Sequence, residues 1–283
     1  MSSLQNAREA PLWLDSFDQS LHGRKPLNGP MSVDVAIIGG GYSGLWTAYY
    51  LLENDPSLRV LIIEKEFCGY GASGRNGGWC EGALAGGTEK YAKRSTMGEA
   101  LRLERTMFET VDEIQRVLES EDINCDFHKG GFVSVARNFP QAQRQRSAVE
   151  LARKRGTGEE VIRILDADEA RAHVNATNVH SGIFFAPSAV VDPGKMVRGL
   201  AEAVERKGGT IVEGTTALSI STGKVVCVEG VVSADVIVQA TEGYTRDIKG
   251  KKLDLLPVYS RMIATEPLTD SQMSEIGLDD RPT

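Results

Sequence analysis

Residues 33 to 44, Val-Asp-Val-Ala-Ile-Ile-Gly-Gly-Gly-Tyr-Ser-Gly, constrain the fold of this chain more tightly than any other stretch. Val35 to Ile38 is apolar and β-branched, as a strand buried in a parallel sheet requires. It runs into Gly39-Gly40-Gly41-Tyr42-Ser43-Gly44, a G-x-G-x-x-G spacing, and then into Leu45 to Leu52, which reads as a helix. In such a unit Gly39 makes the tight turn, Gly41 lets the backbone approach a pyrophosphate, and Gly44 permits close helix–strand packing. Free N–H groups and the positive end of the helix dipole then face the phosphates. A second apolar strand, Arg59 to Glu64, ends in an acid 20 positions after Gly44, where a carboxylate accepts hydrogen bonds from an adenosine ribose. Together these features predict a dinucleotide site. Glu64 disfavours NADP, because it would repel a 2′-phosphate.

The 283 residues are 41% hydrophobic and 25% charged, ordinary for a globular chain and enough for a large core or two intertwined domains. A net charge of −7 gives no basis for expecting nucleic acid or an anionic membrane as partner. No apolar stretch approaches the ~20 residues of a membrane span. Met1 to Pro30 is polar, carries Asp15 and Asp18, and lacks the apolar run of a secretory signal. Its Leu12, Trp13, Leu14 and Phe17 point to a leader packed on the body. Cys68, Cys80, Cys125 and Cys227 make no C-x-x-C pair, and the histidines make no zinc pattern. The expectation is unpaired thiols in a cytoplasmic protein with no metal site.

Further along, Cys68 to Trp79 is a glycine-dense loop. A long helix is predicted from Met97 to Leu118, opened by a capping box at Thr96 and Glu99. Its stripe of Met97, Leu101, Phe108, Val111, Ile114 and Leu118 reads as core packing. A strand over Gly131 to Ala136, a charged helix around Gln141 to Arg155, a short helix near Asp166 and a strand over Gly182 to Ala186 follow. Asp192-Pro193 is an N-cap and N1 pair for a helix reaching about Arg206 and closed by Gly208-Gly209. Strands are then expected over Thr210 to Glu213, Val225 to Val232 and Ala234 to Ala240, with Leu256 to Thr265 starting another extended segment. The fold class is α/β, α+β overall. A leader (1–30) precedes a Rossmann-like domain in two pieces (31–93 and 191–249), with an inserted, mostly antiparallel β domain (94–190 and 250–283).

The loop Ala72-Ser73-Gly74-Arg75-Asn76-Gly77-Gly78 separates flavin from nicotinamide. A nicotinamide dehydrogenase has no need of a second glycine loop there. An FAD enzyme does, to grip the ring system as it leaves the first site. Small residues admit backbone N–H groups, Ser73 can donate its hydroxyl, and Arg75 can neutralise phosphate or hold the ring surroundings.

The chain resembles the D-amino-acid-oxidase-type FAD-dependent oxidoreductases, the group that contains sarcosine, glycine and γ-glutamylputrescine oxidases. Gly39 to Gly44, Glu64, Gly71 to Gly78, Val191-Asp-Pro-Gly194 and Ala240-Thr-Glu-Gly-Tyr244 carry the resemblance. Gly71 to Gly78 and Pro257 to Thr265 look most similar to the γ-glutamylputrescine oxidase branch. The resemblance implies FAD held at Gly39, Gly41, Ser43 and Gly44 (pyrophosphate) and at Glu64 and Lys65 (ribose side). It places Ser73, Gly74, Arg75, Asn76 and Gly77 along the diphosphate and ribityl chain, Ala217 against adenine, and Thr241 to Gly243 over the cofactor. Trp79 and Cys80 read as local packing. It further implies that the β domain takes the substrate and that the chain is C-terminally truncated, with an incomplete substrate sheet and exposed strand edges.

The activity implied is oxidation of a C–N bond of an amine or amino acid by hydride transfer to flavin N5. Oxygen or another acceptor then re-oxidises the flavin. No nucleophile–base constellation can be argued from spacing. His128, Lys129 and Arg261 are the ionisable residues that could reach a pocket, each with a surface or structural reading, so the catalytic residues stay unassigned. Two other readings stand beside this one: a non-catalytic FAD-binding module needing a missing C-terminal portion or partner, and an NAD-dependent dehydrogenase.

Overall fold

The computed structural model describes residues 12–14, 23–260 and 262–278. In chain order the elements are β1 (Met31–Ile38), α1 (Tyr42–Asn54), β2 (Val60–Ile63), β3 (Trp79–Glu81), α2 (Thr88–Ala92) and α3 (Met97–Ser120). Then come β4 (Phe132–Ala136), α4 (Phe139–Lys154), β5 (Ile162–Leu165), α5 (Ala167–His173), β6 (Ser181–Phe185) and β7 (Ser188–Val190). The last are α6 (Pro193–Arg206), β8 (Thr210–Val212), β9 (Ala217–Ser221), β10 (Lys224–Cys227), β11 (Val231–Gln239) and α7 (Asp270–Ile276). The chain divides into two units: residues 1–77, 123–125 and 192–263 form the first, and 78–122, 126–191 and 264–283 the second.

The first unit is built on a six-stranded sheet in the order β8-β2-β1-β11-β10-β9. β8, β2, β1 and β11 run parallel, while β10 and β9 are antiparallel. The four residues of β2 are all buried, as its Val-Leu-Ile-Ile composition demands of a strand covered on both faces. β1 pairs with β11 from Met31 opposite Val232 to Ile38 opposite Gln239. α1 and α6 pack against each other beside the parallel strands. α6 begins as its sequence predicts, with the Asp192 carboxylate accepting from the Lys195 N–H at 3.0 Å and Pro193 in the first turn. Its apolar face, including Met196, Val197, Leu200 and Val204, is buried.

The second unit carries two antiparallel sheets, β4-β6-β5 and the pair β3-β7. α5 packs on the sheet of three through Ala170, Leu165 and Val179, with Val133, Val135 and Phe184 closing the cluster. Gln145 of α4 donates to the Ser134 carbonyl at 2.8 Å and accepts from the Ser181 hydroxyl at 3.0 Å, so a polar side chain ties that helix to β4 and β6. The mixed architecture, with a parallel sheet in one unit and antiparallel sheets in the other, agrees with the fold class expected from sequence. Residues 78–93 group with the second unit, because β3 pairs with β7.

Local departures have local causes. Val225 to Val232 is not one strand: a tight turn at 228–230 splits it between β10 and β11. The α3 capping box is half-made, since Thr96 accepts from the Glu99 N–H while the Glu99 carboxylate turns to Arg102. Met97 at the head of the α3 stripe is exposed, whereas Val111 and Leu118 are buried. Trp79 is 65% exposed rather than packed, on a strand paired on one side only. Leu256 to Thr265 forms no ladder, and Leu256, Val258, Tyr259 and Ile263 are exposed. All four cysteines are free thiols. Among the described residues no helix is long and apolar enough to cross a membrane.

The junction of β1 and α1 leaves no room for side chains. A Cβ on Gly44 would lie 2.1 Å from the Gly39 carbonyl oxygen, a backbone atom that cannot swing aside. Gly44→Ala is therefore expected to lower the unfolding free energy by about 3 kcal/mol, at the upper end of overpacking costs. Gly23→Ala, where a Cβ meets nothing within 4 Å, serves as the control and should change stability by less than about 0.5 kcal/mol. Equal denaturant midpoints for the two variants would refute the close-packing account.

Candidate cofactor site

A cavity of about 260 Å³ opens in the first unit where β1 gives way to α1. Its floor is the turn Gly39 to Ser43. One side is formed by Glu64 to Glu66 and the loop Gly69 to Ser73, and the other by Thr215 to Leu218 and by Thr241, Glu242 and Tyr244. Thus the ends of β1, β2 and β11, together with the loop between β8 and β9, converge on one space. Ligands of open parallel sheets bind at such strand ends.

At the start of α1, Gly41 occupies the N-cap with no side chain to cap the helix. The Ser73 hydroxyl takes over from the second glycine loop, accepting from the Tyr42 N–H at 2.9 Å. A Cβ on Gly41 would meet that hydroxyl at 2.9 Å, so the glycine leaves Ser73 its place. The N–H groups of Ser43 and Gly44 remain in the first turn, where no intrahelical carbonyl can reach them. Their dipole end, the uncapped turn and a serine proton still available for donation form a site for an anion. Tyr42 is anchored away from this turn, its hydroxyl donating to the Pro193 carbonyl at 2.9 Å.

Glu64 lines the cavity at the end of β2. Its Oε2 accepts from the Gly40 N–H at 2.7 Å and its Oε1 from the Glu66 N–H at 2.9 Å. Each oxygen keeps lone-pair capacity for a ligand hydroxyl. Burial raises its pKa above the ordinary carboxylate value, the two backbone hydrogen bonds oppose that rise, and the nearby Glu213 charge adds to it. Glu213 is 2% exposed; its Oε1 accepts from Arg24 at 3.1 Å and from the Cys68 N–H at 2.9 Å, while its Oε2 has no partner. Arg24 also grips Glu205 at 2.7 Å. Burial drives the Cys68 thiol well above its usual pKa, with Glu213 reinforcing the shift, so it is held protonated under the Gly40 backbone.

Of the residues marked by sequence, Gly39, Gly41, Ser43, Glu64, Lys65, Ser73, Ala217 and Thr241 line this one cavity. Gly44, Gly74, Arg75, Asn76, Gly77 and Gly243 do not. Gly74 fits under the Gly69 carbonyl, where a Cβ would come within 2.3 Å. Arg75 donates to the Tyr70 carbonyl at 2.5 Å and lies over the Tyr70 ring at 4.5 Å. Asn76 closes the 3-10 turn Ala72–Gly74 by donating to Ala72 and Ser73, and its own carbonyl accepts from the Trp13 indole at 2.8 Å. Gly77 faces Met262 and Gly243 faces Pro257. Sequence reasoning passed over Tyr70, Thr215, Thr216 and Tyr244, which also line the cavity. Tyr70 lay inside the glycine-dense loop and was visible there; the Thr215 turn had no motif. His128 pairs its backbone with Val190, Lys129 forms an ion pair with Asp112, and Arg261 lies outside the described residues. Among the described residues no group of three or more His, Cys, Asp or Glu side chains could hold a metal ion.

Residues 34–282 match the model of the family described as FAD dependent oxidoreductase, DAO. The chain belongs to that family. It is 30% identical over 260 residues to the probable oxidoreductase OrdL of Haemophilus influenzae, covering 87% of this chain and 58% of that protein. To the gamma-glutamylputrescine oxidoreductase of Escherichia coli it is 28% identical over 249 residues, covering 86% of this chain and 57% of that protein. It therefore spans well under two thirds of these relatives' own length. Among solved structures, glycine oxidase from Geobacillus kaustophilus superposes with a TM-score of 0.63 at 22% identity, over 78% of this chain and 58% of the other. L-amino acid deaminase from Proteus myxofaciens gives 0.67 at 21% identity, over 82% and 51%. These two likenesses establish the fold, and the family's cofactor is FAD.

Because the Glu64 pKa is raised on folding, its contribution to stability is full below the ordinary carboxylate value and is lost as pH rises through the raised one. Glu64→Gln removes that titration. Wild-type unfolding free energy, relative to Glu64→Gln, should therefore fall as pH rises from 4 towards neutrality in denaturant titrations without FAD. Parallel pH profiles for the two proteins would contradict a buried, destabilised charge.

Proposed function

We propose that the chain is the FAD-holding part of an oxidoreductase that oxidises a C–N bond of an amine or amino acid. The observation that carries this reading is the convergence of Glu64, the uncapped start of α1 and Ser73 on one cavity. A second glycine loop that caps the first helix is what FAD demands and a nicotinamide site does not. The residues fit the cofactor. Gly39, Gly41, Gly44, Ser43 and Ser73 form the pyrophosphate cradle, Glu64 and Lys65 meet the adenosine ribose, Ala217 backs the adenine, and Thr241 closes from the end of β11. Gly74, Arg75, Asn76, Gly77 and Gly243 hold the surrounding loops in place. The names of the relatives, a gamma-glutamylputrescine oxidoreductase and a glycine oxidase, support an amine or amino acid as substrate.

Bound FAD supplies the chemistry, accepting a hydride from the carbon beside the nitrogen and passing electrons to oxygen or another acceptor. The protein's part is to bind and orient. The helix start and Ser73 neutralise the diphosphate, and Glu64 sets the register of the adenosine by accepting from its hydroxyls. Glu64 does so as a carboxylate whose oxygens are already aimed by Gly40 and Glu66. The cofactor's placement depends on that aim.

The test is reconstitution of the purified 283-residue chain with FAD, followed by flavin absorption after gel filtration. Retained flavin is expected, and Glu64→Ala should weaken FAD binding about 10-fold or more, the loss that goes with a charge-assisted hydrogen bond. Bleaching of the flavin by an added amine under anaerobic conditions supports oxidation, whereas retention of FAD without bleaching supports a binding module that needs further chain or a partner. Retention of NAD in place of FAD would overturn the proposal.

A further inference from the structure

A second cavity, of about 530 Å³, lies wholly within the second unit, between the sheet β4-β6-β5 and the helices α2, α3 and α4. Its size is that of a small-molecule pocket. The walls are apolar and partly aromatic: Phe108 of α3, Phe132 of β4, Phe185 of β6 and Leu151 of α4. Phe108 and Phe185 meet edge to face, with ring centroids 5.5 Å apart and planes at 73°. That contact fixes the orientation of two of the rings.

The charges on this cavity do not balance. Arg155 and Glu89 form an ion pair and cancel each other. Glu104 projects from α3 with Oε1 accepting from the Thr88 hydroxyl at 2.5 Å; Thr88 is buried, so the carboxylate is aimed by a fixed donor. Its Oε2 has no hydrogen-bond or ion-pair partner among the described residues. Glu81 of β3 also lines the cavity, with no paired cation among the described residues. Two carboxylates are thus uncompensated, and no cation is left free to receive a ligand carboxylate. An α-amino acid would set its own carboxylate against Glu104 or Glu81. A ligand with one ammonium and an apolar body meets every wall: the charge faces Glu104, the body fills the apolar space, and the phenyl faces add cation–π attraction.

We infer that this cavity binds organic monoamines, an ammonium head at Glu104 with an apolar body among Phe108, Phe132 and Phe185. The inference goes beyond the flavin reading and does not depend on it, because every wall residue belongs to the second unit and binding is measured without turnover. The test is calorimetric titration of the full 283-residue chain with hexylamine, using hexanol and hexanoate as probes of matched length. Hexylamine is expected to bind saturably, hexanol at least 10-fold more weakly and hexanoate not at all. Glu104→Gln keeps an acceptor for Thr88 and should weaken hexylamine about 10-fold; Glu81→Gln, at an exposed position, should weaken it several-fold and keeps the test open if the first variant folds poorly. Absence of saturable hexylamine binding overturns the inference. So does hexanoate binding as well as hexylamine, or unchanged affinity in both variants. Flavin retention, scored by absorbance on the same samples, stands or falls separately.

Discussion

The first unit depends on one place where the backbone passes within contact distance of itself. Gly39, at φ +110°, turns the chain out of β1 with a backbone that a side chain would strain. A Cβ there would stand 2.4 Å from the Ala240 carbonyl oxygen, and one on Gly44 would collide with Gly39 itself. Strand, helix and the exit from β11 are therefore locked together through main-chain atoms, which cannot repack as side chains do. Gly40 is confined in the same way, between the Cys68 sulfur and the Glu64 side chain. The direction of α1, and with it the direction of the helix dipole, follows from these contacts. The cavity lies where that dipole points.

Much of this was legible in the amino-acid sequence because glycines and β-branched runs act through the backbone locally. Val35 to Ile38, the glycines and Glu64 define a unit whose geometry needs little from the rest of the chain. The long α3 and the start of α6 were equally readable, from a 3.6-residue apolar stripe and from Asp192-Pro193. Less legible was whatever rests on distant partners. Arg75 is rich in donors and reads as a phosphate ligand, yet it is used up on Tyr70, a neighbour in the same loop. Tyr244 and the Thr215 turn reach the cavity only because β11 and β8 flank β1 and β2, and no local pattern announces that order. The split between β10 and β11 went unread for a related reason: the apolar alternation continues through a turn too short to interrupt it.

The electrostatics beneath the cavity are built from long-range pairs. Arg24 crosses to Glu205 and Glu213, and Leu27 donates its N–H to the Thr215 hydroxyl at 2.9 Å. These contacts fasten the approach to β1 against the far side of the sheet. Buried ion pairs are weak sources of net stability, since desolvation offsets their attraction. Here the Arg24–Glu213 pair holds two carboxylates, Glu213 and Glu64, close enough to raise the pKa of the second. Glu64 is thereby kept in a state that favours any partner able to donate hydrogen bonds to it.

The place of β11 in the sheet carries a consequence for how the molecule is made. It lies between β1 and β10, pairing along almost the whole of β1, although the sequence of the second unit intervenes. On a ribosome β1 emerges early and keeps one edge unpaired until Gln239 has been synthesised. Contacts of such sequence separation slow folding and leave an apolar strand edge open meanwhile. The nucleotide-type unit, first to begin, is thus last to finish, and the antiparallel sheets between its halves have time to form before its own sheet can close.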